Sequence, residues 1–77
     1  MQNIGTKMSE KKFDKRFGMV AIEKGFITSG QLIEALNTQV VEELKGGNRR
    51  LIGQILQDKG YITNLQIDDV LIFMGLL

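Results

Sequence analysis

The sequence contains no cysteine, no histidine and no proline. Without cysteine there are no disulfides and no thiolate metal sites. Without histidine, the usual general base and the commonest transition-metal ligand are both missing. These absences argue against a hydrolase or a metalloenzyme. No phosphate-binding loop for a nucleoside triphosphate is present either, so we expect a non-catalytic protein without a cofactor. No apolar run approaches the roughly 20 residues of a membrane span. The polar N-terminus lacks the apolar core of a signal peptide. Those two features point to a cytoplasmic protein with no direct membrane insertion. The lack of proline leaves any helix unbroken.

What remains is 77 residues, 43% hydrophobic and 25% charged. That composition is ordinary for a globular protein near the lower size at which a chain builds its own core. The net charge of +1 conceals an asymmetry. Residues 1–16 carry Lys7, Lys11, Lys12, Lys15 and Arg16 against Glu10 and Asp14, a balance of +3 that leaves −2 for the rest. A basic start on a near-neutral body suits a solvated leader or a weak attraction for anions.

The chain repeats itself. Shifted by 35 positions, residues 51–74 fall beneath residues 16–39, and seven identities align. These are Gly18 with Gly53, Lys24 with Lys59, Gly25 with Gly60, Ile27 with Ile62, Thr28 with Thr63, Gln31 with Gln66 and Leu36 with Leu71. A period of this length means a tandem supersecondary unit.

Each unit reads as helix-turn-helix. Residues 1–11 show no apolar period, and we expect a loosely ordered leader there, followed by one domain over 12–77 with units at 13–46 and 48–77. Phe13, Phe17, Val20 and Ala21 form a helical stripe that ends at Gly25. Thr28 with Gln31 spells a capping box, and Ile27 with Leu32 a hydrophobic staple. The second helix should carry Leu32, Ala35, Leu36, Gln39, Val40 and Leu44 on one face, and stop at Gly46-Gly47. Asn48 is the expected N-cap of a third helix bearing Leu51, Ile52, Ile55 and Leu56. Gly60 ends that helix, and Thr63 with Gln66 rebuilds the box ahead of Ile67, Val70, Leu71 and Met74. The expected fold is all-α, two helix-turn-helix units packed as a small four-helix domain.

Some residues fit two readings. Gly18 and Gly53 lie inside helical patterns, where glycine costs about 1 kcal/mol against alanine, so they mark close backbone packing or the approach of a ligand. Arg16 is a surface charge or a ligand contact, and Gln39 a boundary residue or a ligand contact. Asp68-Asp69 and Glu42-Glu43 read as solvated faces. The chain ends apolar on every side of a helix, with Ile72, Phe73, Leu76 and Leu77 forming a candidate interface. Either that tail folds across the open end of the bundle, or it buries itself in a partner or in a second copy as a homodimer.

The first unit carries Arg16-Phe17-Gly18, then Gly25, Leu32, Leu36 and Gln39. This resembles the MshEN family, the N-terminal domain of type II secretion and type IV pilus assembly ATPases of bacteria. Its motif runs R-L-G-x-x-L-x-x-x-G, six variable residues, then L-x-x-x-L-x-x-Q, twice in tandem. Phe17 and Ala21 stand where the family has leucine. In the second unit Arg50 lies one residue early, Leu51 takes the arginine position and Met74 the glutamine position. The resemblance implies a domain that docks a protein partner in a secretion or pilus machine, or that binds cyclic di-GMP. Carried over by position, the ligand residues would be Arg16, Phe17, Gly18 and Gln39, with Arg50 and Gly53 from the second unit. Because Leu51 and Met74 lack the polar groups of the motif, we expect protein docking ahead of nucleotide binding. Helix-turn-helix units also suggest DNA, but neither second helix carries the basic residues that phosphate contacts demand, and we expect no DNA partner.

Overall fold

The computed structural model describes the backbone of residues 2–77 and the side chains of residues 12–77. Among the described residues there are four helices and no strand: α1 (Gln2–Glu23), α2 (Ser29–Leu44), α3 (Ile52–Asp58) and α4 (Asn64–Phe73). The all-α, two-unit expectation is met. Helix α1 begins at Gln2, well ahead of the apolar stripe that opens at Phe13. Gln2, Lys7, Met8, Glu10, Lys11 and Lys12 favour a helix in that stretch, against Gly5 and its polar neighbours, and no proline interrupts it. The expected leader side chains at 1–11 lie outside the described residues.

The turn between helices is built twice from the same chemistry. Thr28 Oγ1 accepts from the Gln31 amide at 3.1 Å, and Gln31 Oε1 accepts from the Thr28 amide at 2.9 Å. Thr63 and Gln66 repeat the pair at 3.1 and 3.0 Å. Each exchange satisfies two backbone donors that a helix start leaves open. At the other ends, Gly25 and Gly60 take φ of 77° and 80°. The amide of Phe26 then reaches the Ala21 carbonyl, and that of Tyr61 the Leu56 carbonyl, both at 2.9 Å. These are Schellman endings, which only a residue tolerant of positive φ closes without strain.

The core crosses between the units. Phe17, Val20 and Ala21 of α1 meet Ile52, Ile55 and Leu56 of α3 and Val70 of α4, all buried. Helix α2 packs chiefly on α3, and α1 on α3 and α4. Lys24 pairs with Asp69 at 3.4 Å and Lys59 with Glu34 at 3.4 Å. Both bridges join the same two repeat positions in opposite order, so the units are related by an approximate two-fold axis.

Two expectations are corrected, and one of the two alternatives for the tail is removed. Asn48 does not cap α3: the N-cap is Leu51, which makes no side-chain cap and leaves its own side chain exposed. The free amide of Ile52 is instead met from α1, by Asp14 Oδ1 at 3.3 Å. Val40 and Leu44 are exposed, not buried. Helix α2 has 16 residues against 7 in α3, so its last turns outrun the neighbour that would cover them. Lastly, the tail does not fold across the bundle. Gly75 at φ 79° ends α4 in another Schellman turn, with the Leu76 amide on the Leu71 carbonyl at 2.9 Å.

Candidate functional site

The most elaborate polar cluster sits where α1, the end of α2 and the linker before α3 meet. Asp14 is only 2% exposed, and its carboxylate is the hub. Its Oδ2 accepts from Gln39 Nε2 at 2.9 Å and from Arg49 Nη2 at 2.7 Å, while Oδ1 takes the Ile52 amide. Gln39, itself 5% exposed, gives a second bond of 2.7 Å to the Arg50 carbonyl. Both hydrogens of its amide are therefore committed inward. A buried carboxylate is tolerated in this way, by pairing and by hydrogen bonds that occupy its lone pairs.

Around that hub the linker arginines are held by α2. Arg49 Nη1 reaches Glu43 Oε2 at 2.5 Å. Arg50 forms a fork on Glu42, with Nε to Oε1 at 3.1 Å and Nη2 to Oε2 at 2.7 Å, and its remaining Nη1 contacts Asp58. The bidentate geometry is the strong form of the arginine–carboxylate pair. It holds the Glu42 carboxyl below its ordinary range and pushes the Arg50 guanidinium up, since each charge stabilises the other. On the neighbouring face Tyr61 donates to Glu34 Oε1 at 2.8 Å. The tyrosine hydroxyl, then Lys59, lowers the Glu34 carboxyl, and the carboxylate in turn raises the Tyr61 hydroxyl.

The residues that the motif singles out are distributed differently. Phe17 is a core side chain. Gly18 is buried, and a Cβ there would lie 2.6 and 2.7 Å from the Leu32 methyls. Gly53 is also buried, and its Cβ would lie 3.1 Å from Phe17 Cζ. Close packing therefore accounts for both glycines. Gln39 and Arg50 meet each other, but through the inward network. Arg16 is exposed and stands apart, on a shallow cationic groove with Lys12 and Lys15. Ile72, Phe73, Leu76 and Leu77 gather at the end of α4, each between 57% and 69% exposed. Lys24 Nζ stands 5.1 Å from the centre of the Phe73 ring, within cation–π range.

Sequence reading missed Asp14 and Arg49, and took Glu42 and Glu43 for solvated charges. One signal was available. Asp14 and Arg49 occupy the same position of the 35-residue repeat with opposite charge, and near a two-fold axis equivalent positions meet.

An open groove lies beside the hub, between α1 and α2. It holds about 460 Å³ and is walled by Met19, Leu32, Leu36 and Val40 over Asp14 and Gln39. Among the described residues no helix is long and apolar enough to cross a membrane. Comparison with protein-family models, with curated proteins and with solved structures returns no match for this chain.

Proposed function

We propose that this chain is a non-catalytic interaction module of the kind its motif resembles, docking a protein partner through the apolar end of α4. One observation carries the reading: Ile72, Phe73, Leu76 and Leu77, neighbours in the chain at the end of α4, are all more than half exposed. Exposed apolar side chains grouped in this way suit an interaction surface. The partner that the resemblance implies is the membrane platform of a bacterial secretion or pilus machine, met from the cytoplasm. Titrating the chain into the purified cytoplasmic domain of such a platform protein tests it by calorimetry. We expect saturable heat, and at least a tenfold loss of affinity in Phe73→Ser/Leu76→Ser. An unchanged affinity in that variant, or no heat with the parent chain, removes the reading.

A second reading, a cyclic di-GMP sensor, draws on the strip of Lys12, Lys15 and Arg16, whose charge suits a phosphate diester. The inward commitment of Gln39 and Arg50 counts against it. Saturable heat with cyclic di-GMP that disappears in Arg16→Ala would put the sensor first. DNA binding has the least support, because α2 carries Glu34, Glu42 and Glu43 and α4 carries Asp68 and Asp69.

A further inference from the structure

The two units build equivalent grooves and fill them unequally. In the first, between α1 and α2, Met19, Leu32 and Leu36 line a space of about 460 Å³. Their repeat equivalents Gln54, Ile67 and Leu71 line a second groove of only about 90 Å³. The second is small because α1 runs across it with Phe13 and Phe17, and the Phe17 ring lies against Gly53. The first receives no such arm. The equivalents of Phe13 and Phe17 are Asn48 and Ile52, and α3 begins only at Ile52. The same chain thus shows what occupies a groove of this construction: a helix carrying aromatic side chains.

We propose that the open groove receives the end of α4 from a second copy of this chain, with Phe73 and Leu76 taking the role that Phe13 and Phe17 play in the filled groove. The idea rests on the reading of the α4 end as a docking surface and seats that end on a second copy in the chain alone, a contact that a platform partner would have to displace. One charge pair fits the match. Lys15, shared by the groove and the basic strip of Lys12 and Arg16, complements the exposed Asp68 of the incoming helix. Asp69 is held by Lys24, and the groove's Arg49 and Glu43 pair with each other. Each chain owns one groove and one tail, and exchange of both between the same two copies, about a two-fold axis, closes at a dimer, whereas one-way insertion would add chains without limit.

Sedimentation equilibrium across a concentration series tests this, with two variants at exposed positions so that the fold persists. The tail variant is Phe73→Ser/Leu76→Ser and the groove variant is Met19→Lys/Val40→Lys; circular dichroism checks that both keep their helices. The parent chain should approach twice its 8.7 kDa mass. Each variant alone should dimerise at least tenfold more weakly. Mixed together, the intact tail of one and the intact groove of the other should restore a heterodimer held by one contact. A parent chain that stays at 8.7 kDa overturns the proposal. So does a groove variant that dimerises like the parent, which would mean tail-to-tail contact, and so does a mixture that restores nothing. The platform titration separates this from the broader reading. A monomeric chain that still binds the platform through its tail leaves docking standing and removes the second copy. A dimer that binds no platform does the reverse.

Discussion

The second helices of the two units begin alike and end differently. Both open on a threonine–glutamine capping box, and both place a half-buried leucine, Leu36 or Leu71, against the core. Beyond that point α4 stops after 10 residues, whereas α2 continues to 16. The added turns of α2 carry Gln39, Glu42 and Glu43, which seize the linker through the Arg50 carbonyl and the two guanidinium groups. At the equivalent of Gln39, α4 has Met74, which serves as its C-cap and is followed by exposed Leu76 and Leu77. One end of the repeat is closed by polar bonds and the other is left apolar and open. The contrast extends to the two-fold axis itself. There Asp14 meets Arg49, its own repeat equivalent. Two identical units would set like charges against each other at that point, so the copies had to diverge where they touch.

The closed end can be broken at its hub. Asp14→Ala removes the acceptor shared by Gln39, Arg49 and the Ile52 amide. It leaves the buried Ile52 amide without its acceptor and takes one of two carboxylates from Arg49, which keeps Glu43. We expect a loss of about 2–4 kcal/mol in urea unfolding. The exposed Asp68, on the open-ended helix, supplies the control, with Asp68→Ala staying within about 0.5 kcal/mol. Equal effects at the two positions would mean that the hub is not what anchors the linker.

Most of the scaffold was legible in the residues, because its signals are local. A capping box, a staple and a glycine at positive φ each act within five or six positions, and the repeat wrote them twice. What escaped was set by contacts far apart in sequence. Asn48 looks like a cap, but the start of α3 is met by Asp14, 38 positions away. Val40 and Leu44 continue an apolar stripe, yet helix periodicity says nothing about how long the neighbouring helix is. Glu42 and Glu43 resemble any solvated acidic pair until the linker brings Arg49 and Arg50 to them. The candidate site suffered most, since its polar groups come from three separate segments. The motif positions Phe17, Gly18 and Gly53 are closely packed, and spacing alone does not distinguish such packing from ligand approach.

The matched glycines give the next contrast. At Gly18 an added Cβ meets both Leu32 methyls below 3 Å, so the end of that side chain must shift toward the open groove it lines. At Gly53 the contact is 3.1 Å to a ring atom, which a shift of a few tenths of an ångström relieves. Alanine recovers about 1 kcal/mol of helix propensity at either site, against an overpacking cost of about 1–3 kcal/mol. Gly18→Ala should therefore destabilise by up to about 2 kcal/mol and Gly53→Ala by less than about 1 kcal/mol. Thermal unfolding of the two variants side by side checks the order, and a costlier Gly53→Ala would place the tighter helix crossing in the second unit.

The smallest difference between the units concerns a hydroxyl. Lys59–Glu34 and Lys24–Asp69 are equivalent bridges, but only Glu34 also accepts from a tyrosine, since Phe26 stands where Tyr61 does. Tyr61→Phe makes the two corners alike. Glu34 is held below 4.5, so its contribution is present above that pH and fades as the pH falls through the folded value. Tyr61 is raised above 10.0, so its contribution is present below that pH and fades as the pH rises through the folded value. The hydroxyl bond is thus intact only between those limits. The urea midpoint of the parent chain should exceed that of Tyr61→Phe near pH 7, and the gap should narrow toward both pH 3 and pH 11. Because the pair is exposed, the gap is small at its widest. A gap that holds constant across the range would assign the difference to packing of the ring, and Tyr61 would then be a larger Phe26 with no electrostatic role.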